Sequence, residues 1–285
     1  MKFVHIYNLH QNDIVVFERV DFSTFNDTIL LMNSFELNYN QFLRNFDENK
    51  TVQDYFKTRN LSDKIIKNNL IAFCPSYSRY EFPLLKGRLI VPIRDVHGNF
   101  IALAGRQIPD LKEQTVQAFW DLYGHEPAKC ADKINKWNKG KWINEPYQKN
   151  KNLFFLDVAK TMARQKNYLI LTEGYFDVYS FFDNGIENVV ALCGTAISDY
   201  QIALASRYCD NLVVLMDSDD AGKIASEKVV NKIEELGLKA IRIFLPTGMD
   251  PDDFAQKFDV SLLDDTILKM IDSGKKTLSI RAENG

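Results

Sequence analysis

Residues 168–178 read YLILTEGYFDV, residues 188–196 NVVALCGTA, residues 211–222 NLVVLMDSDDAG and residues 240–254 AIRIFLPTGMDPDDF. Each opens with a short run rich in Val, Ile and Leu. Helix-length segments separate the runs, the pattern of buried parallel strands joined by helical crossovers. Carboxylates stand just past three of the four runs: Glu173, then Asp217 and Asp219, then Asp250, Asp252 and Asp253. In an open α/β sheet ligands bind outside the carboxyl ends of the strands, where this spacing puts the acids. The expectation is a divalent-metal site. Carboxylates are hard oxygen ligands, Asp217 and Asp219 lie two apart across a turn, and Glu173-Gly174 falls at a strand-to-helix break that a substrate backbone can approach. Asp250 and Asp252 add enough charge for two metals, the arrangement that clamps attacking and leaving oxygens in phosphoryl chemistry. An Asp-x-Asp pair is also a common helix N-cap, and that reading stands beside the metal one.

Working outward, 285 residues with 46% hydrophobic and 26% charged content are enough for two globular domains. The four cysteines, at 74, 130, 193 and 209, show no CxxC pair and suit a reducing compartment. His125 near Cys130 is too sparse for zinc. No run approaches the ~18 apolar residues of a membrane span and no signal core opens the chain, so the expectation is a soluble, cytoplasmic protein. A net charge of −3 conceals an asymmetry: residues 79–166 carry 16 basic and 9 acidic side chains, net +7, and residues 167–285 carry 11 and 20, net −9. A basic segment beside a carboxylate cluster suits a polyanion held next to a cation. Gly222-Lys223 lacks the glycine that a phosphate-cradling P-loop requires five residues earlier, where Asp217 stands.

Upstream, residues 3–7 and 14–20 look strand-like, and helical spacing follows through residue 46. The segment 51–76 predicts two short helices broken at Asn60, with Ser62 capping the second. GRLIVPIRDVHGNFIALAGRQ, residues 87–107, is a hairpin turning at His97-Gly98-Asn99. Arg88, Arg94 and Arg106 sit at or near its strand ends, where fork-shaped guanidinium groups suit phosphate oxygens. Gly87 and Gly105 would let a ligand approach the backbone. Residues 111–150 mix Trp120, Tyr123, Trp137, Trp142 and Tyr147 with many lysines, which is read as a single-stranded nucleic-acid surface, with a flexible, partly buried loop as the alternative. Residues 259–285 predict one helix and a polar tail.

The set EGYFD, GTA, DSDDAG and DPDD resembles the Toprim domain, and the hairpin together with YFKTRNLSDKIIKNNLIAFCPS resembles bacterial-type, DnaG-like DNA primases; the likeness runs over about residues 50–260. It implies an α/β fold: a Toprim-type parallel sheet flanked by helices, preceded by a mixed α+β basic subdomain. The divisions it suggests are an N-terminal remnant or linker (1–50), the basic subdomain (51–166), the Toprim domain (167–258) and a C-terminal helix and tail (259–285). It implies synthesis of short RNA primers on single-stranded DNA from ribonucleoside triphosphates. Glu173, Asp217 and Asp219 would be catalytic, and these three with Asp250 and Asp252 would hold two Mg2+ or Mn2+ ions, supported by Asp177. Arg88, Arg106, Lys149 or Lys151, Gly194 and Thr195 would bind nucleotide or template. The family's zinc ribbon and helicase-interacting domain have no counterpart in this sequence. The expectation is therefore no zinc in this chain, a zinc-binding module and a replicative helicase as separate partners, and a phage-type version. A Toprim nuclease and a non-catalytic DNA-binding accessory subunit are the alternatives.

Overall fold

The computed structural model describes residues 25–77, 82–194 and 196–280, with side chains from residue 34 onward. The strand-like pieces at 3–7 and 14–20, Thr195 and the last five residues lie outside the described residues. The chain divides into two compact units, one of residues 1–93 and 100–147, the other of 94–99 and 148–285.

The first unit contains helices α1 (Phe25–Asp47), α2 (Lys50–Lys57) and α3 (Asp63–Lys67), strands β1 (Ala72–Cys74), β2 (Arg88–Arg94) and β3 (Phe100–Gln107), helices α4 (Lys112–Tyr123) and α5 (Pro127–Trp137), and strand β4 (Trp142–Asn144). The four strands form one sheet in chain order. On α1, Phe35, Tyr39 and Phe42 recur at helical spacing and pack against Ala72, Cys74, Leu85, Ile90 and Leu103. Each such buried ring contributes about 2–3 kcal/mol of burial energy. The break between α2 and α3 falls at Asn60, whose φ is +50°, and Ser62 Oγ accepts from Lys64 N (3.2 Å), as the sequence predicts. The hairpin turn is closed by Asp95, which accepts from His97 N and Asn99 N (both 2.9 Å). Residues 111–144 are ordered helices and a strand, not a loop. Trp137 is fully buried with Phe119 and Cys130.

The second unit contains α6 (Leu156–Lys166), β5 (Tyr168–Thr172), α7 (Tyr175–Asp183), β6 (Val189–Ala191), α8 (Asp199–Ala205), β7 (Asn211–Leu215), α9 (Asp220–Glu235), β8 (Lys239–Phe244), α10 (Pro251–Lys257), α11 (Val260–Ser273) and β9 (Thr277–Ser279). Its strands are all parallel, in the order β6-β5-β7-β8-β9. All five residues of β5 and of β7 are buried, which explains their unbroken apolar runs. Residues 277–279, read from sequence as part of a polar tail, instead add an edge strand, because Arg242 N and Ile280 N find carbonyl partners across the β8–β9 pair (2.8 and 2.9 Å). After β5 the chain steps to β6 on one side, then returns past β5 to β7 on the other. The carboxyl ends of β5 and β7 therefore border a topological switch point, the crevice in which such sheets bind ligands. Among the described residues no helix is long and apolar enough to cross a membrane.

Candidate active site

The carboxylates past β5, β7 and β8 are graded by depth. Asp219 and Asp250 are exposed, Glu173 and Asp217 half-buried, Asp177 and Asp252 buried. Each position has a local cause. β5 ends at Thr172, and Asp177 Oδ2 accepts from Gly174 N (2.8 Å), fixing the turn that carries Glu173. Asp219 caps α9, its Oδ1 accepting from Gly222 N (2.7 Å), and Asp250 caps α10 in the same way through Asp253 N (2.7 Å). Capping engages one oxygen of each carboxylate, so the capping reading and the ligand reading hold together at these two residues.

Sequence reasoning missed two residues that register these loops. Ser218, between the two aspartates, donates its backbone N–H to Met249 O (3.1 Å) and accepts from Met249 N through Oγ (3.0 Å), tying the loop after β7 to the loop before α10. A Cβ on Gly222 would sit 2.3 Å from Asp217 O, so only glycine lets α9 begin this close to Asp217. A serine flanked by acids, and a glycine just after them, were the available signals.

The cluster is electrostatically loaded. Burial first, then the charges of Asp217 and Asp219, pushes the Glu173 carboxyl up to about 7. Burial, then Asp250 and Asp219, raises Asp217. Asp177 is held well above the usual carboxylate range, chiefly by burial, against the pull of the Gly174 N–H. Among the described residues no Lys, Arg or His ion-pairs with Glu173, Asp217, Asp219 or Asp250; the nearby lysines pair instead with Asp220 and Asp253. Uncompensated hard oxygen donors of this kind suit a divalent cation bound partly through waters. They are not a closed cage: among the described residues no three of His, Cys, Asp and Glu are arranged to hold a metal by themselves. Asp252, also expected among the ligands, is buried, and Ser180 Oγ and Gln256 Nε2 both donate to its Oδ1.

Lys149 and Lys151 belong to the same unit and are both exposed, on a single 3-10 turn, Lys149–Lys151. Gly194 faces open space beside Cys193, whose φ is +54°; Thr195 lies outside the described residues.

The arginines of the first unit fare differently. Arg88 is fully buried, its Nη1 donating to the carbonyls of Gly105 (3.2 Å) and Lys141 (3.1 Å), its Nη2 to those of Trp137 and Gly140. The group also lies over the Trp137 ring, 5.2 Å from its centroid. The expected phosphate contact is thus corrected to a structural tie holding the turn between α5 and β4, because no face of the guanidinium meets solvent. Burial lowers its pKa only to about 10, so it stays charged. Gly87 and Gly105 make room for protein rather than ligand: a Cβ would meet Thr115 Oγ1 at 2.0 Å from the first and the Leu85 and Arg88 side chains from the second. Arg106 is half-buried, donates from Nε to Tyr55 Oη (3.2 Å) and stacks over Trp142 (5.5 Å). Of the five aromatics read as base-stacking candidates, only Trp120 is exposed.

A Toprim-like family model matches residues 170–255. The DNA primase of Aquifex aeolicus is 31% identical over 215 residues, 74% of this chain and 36% of that protein, so the chain spans about a third of that relative's length. The DNA primase of Synechococcus elongatus is 32% identical over 186 residues, 62% of this chain and 23% of its own length. Among solved structures, the zinc-binding and RNA polymerase domains of the Aquifex aeolicus primase superpose with a TM-score of 0.67 at 24% identity, covering 90% of this chain and 63% of that one.

Proposed function

We propose, from the premise that this chain has the sequence and fold of a DnaG-like primase core, that it is a cytoplasmic primase catalytic core making short RNA primers on single-stranded DNA. The observation that carries the reading is the set of mutually repelling carboxylates Glu173, Asp217, Asp219 and Asp250 past the carboxyl ends of three parallel strands, with no ion-pairing Lys, Arg or His among the described residues. A relative's structure was solved as a primase catalytic domain bound to single-stranded DNA, which supports the choice of template.

Glu173, Asp217, Asp219 and Asp250 would hold Mg2+ or Mn2+, in two sites given four carboxylates, with Asp177 and Asp252 supporting them from below. Bound there, the cation would supply charge neutralisation for the pentavalent phosphate and a lower pKa for the attacking hydroxyl. The protein's own residues do the rest. Glu173 would act on the 3′-hydroxyl, taking up its proton as that oxygen attacks the α-phosphate and pyrophosphate leaves, or hold the cation beside the aspartates. Lys149 and Lys151 meet triphosphate or template phosphates with exposed ammonium groups, and Arg106, oriented by Tyr55 and Trp142, meets template phosphates.

Incubating the purified chain with an unstructured single-stranded template, the four ribonucleoside triphosphates and Mg2+ or Mn2+ tests the reading. Short template-dependent oligoribonucleotides are expected. Template cleavage, or binding without synthesis, would overturn it.

A further inference from the structure

The turn carrying Lys149 and Lys151 is held by a side chain from outside it. Gln201, only 2% exposed, lies in the first turn of α8. Its Oε1 accepts from Ser198 N (2.9 Å) while Ser198 Oγ accepts from Gln201 N (3.1 Å), a reciprocal capping box. The box engages only the oxygen of the amide. Both hydrogens of Nε2 go elsewhere, to Lys149 O (3.1 Å) at the start of the lysine turn and to Asn152 O (2.7 Å) just past its end. Ser198 Oγ donates to Asn150 O (2.5 Å), the residue between the lysines. Asn152, also buried, anchors the far side by donating to Arg94 O (3.1 Å). A capping box works equally well with Glu or Gln at this position. Only the amide can both cap α8 and donate to two carbonyls of a neighbouring segment.

We propose that Gln201, with Ser198, is a positioning residue for Lys149 and Lys151: it fixes the backbone of their turn so that both ammonium groups are presented to phosphate without an ordering cost on binding. The proposal rests on the reading of these lysines as phosphate contacts. Gln201 touches neither substrate nor reacting atoms, and its effect passes through the lysines alone.

The test compares the whole chain with Gln201→Glu, Gln201→Met, the double variant Lys149→Ala/Lys151→Ala, and that double variant carrying Gln201→Glu. Three quantities are read: affinity for a single-stranded oligodeoxynucleotide, KM for ribonucleotide and kcat. Gln201→Glu keeps the capping box and breaks the tie to the turn. It should weaken template affinity and raise KM by roughly three- to tenfold with kcat little changed, and speed amide exchange at residues 149–152 but not in β5 or β7. In the lysine-free background it should cause no further loss. A Gln201→Glu protein that binds normally, or one whose loss persists undiminished without the lysines, overturns the positioning role. If the lysine double variant itself binds and primes like the parent chain, the phosphate-contact reading fails and the proposal with it. If the double variant is impaired and Gln201→Glu is not, the positioning role alone fails. Gln201→Met, which loses cap and tie together, should weaken template affinity at least as much as Gln201→Glu; a Met variant that binds normally also overturns the positioning role.

Discussion

Two regions carry the charged residues that the sequence singles out, and they treat those residues in opposite ways. At the carboxyl end of the parallel sheet, Glu173 and Asp217 remain half-open and Asp219 and Asp250 keep one carboxylate oxygen beyond their caps. In the antiparallel sheet, Arg88 is fully enclosed and occupied by four carbonyls. The difference is where each residue falls in its strand. Acids in the loops that follow β5, β7 and β8 emerge into the crevice, whereas an arginine at the first position of β2, flanked by β1 and β3, points into a layer that the next helices cover. Charge type is legible from sequence; the depth at which a layered fold leaves that charge is not.

The comparison breaks most directly at Asp217. Asp217→Asn should reduce primer synthesis by at least about a thousandfold with the thermal transition unchanged or raised, since it removes repulsion and no hydrogen bond within the fold. Substantial primer yield from a folded Asp217→Asn protein would end the assignment. Arg88→Met should show the reverse, losing about 3 kcal/mol or more of stability in denaturant unfolding, because four carbonyls lose a buried charged donor. A stable Arg88→Met protein with weakened DNA affinity would return Arg88 to the binding residues. Arg106→Ala should be intermediate, lowering DNA affinity and reducing the salt dependence of log K by about one with little loss of stability. Smallest is a pH effect in the first unit. Burial raises the Glu145 carboxyl to about 7 from 4.5, so its contribution is fully present below pH 4.5 and lost as pH rises through 7. Glu145→Gln should therefore melt higher than the parent chain near pH 8, with the gap closing towards pH 4.5; a gap independent of pH would count against that shift.

Much of the second unit was legible because its signals are local. Each buried strand is a continuous apolar run, each acid follows a run, and the hairpin carries its own turn residues. What was not legible depends on contacts between distant segments. Trp137 looked like a base-stacking ring, yet Phe119 from α4 and the Arg88 guanidinium enclose it. The lysine turn is held by Gln201, about fifty residues away in sequence, and nothing in its own composition marks it as rigid. Asp252 reads like Asp250 in the string DPDD, but a helical turn swings it inward to Ser180. β9 is too short and too polar to declare itself, and its pairing with β8 makes it a strand.

The caps on α9 and α10 bear on how this fold drifts. Asp219 and Asp250 each start a helix, so replacing either costs about 1 kcal/mol of stability whether or not the site is used. A descendant with no use for a cation here would remain under pressure to keep both residues and under none to keep Asp217, whose charge the neighbouring acids repel. Retention of the pair is thus a poor sign of a living enzyme. Retention of Asp217, which the helices do not need, is the better one.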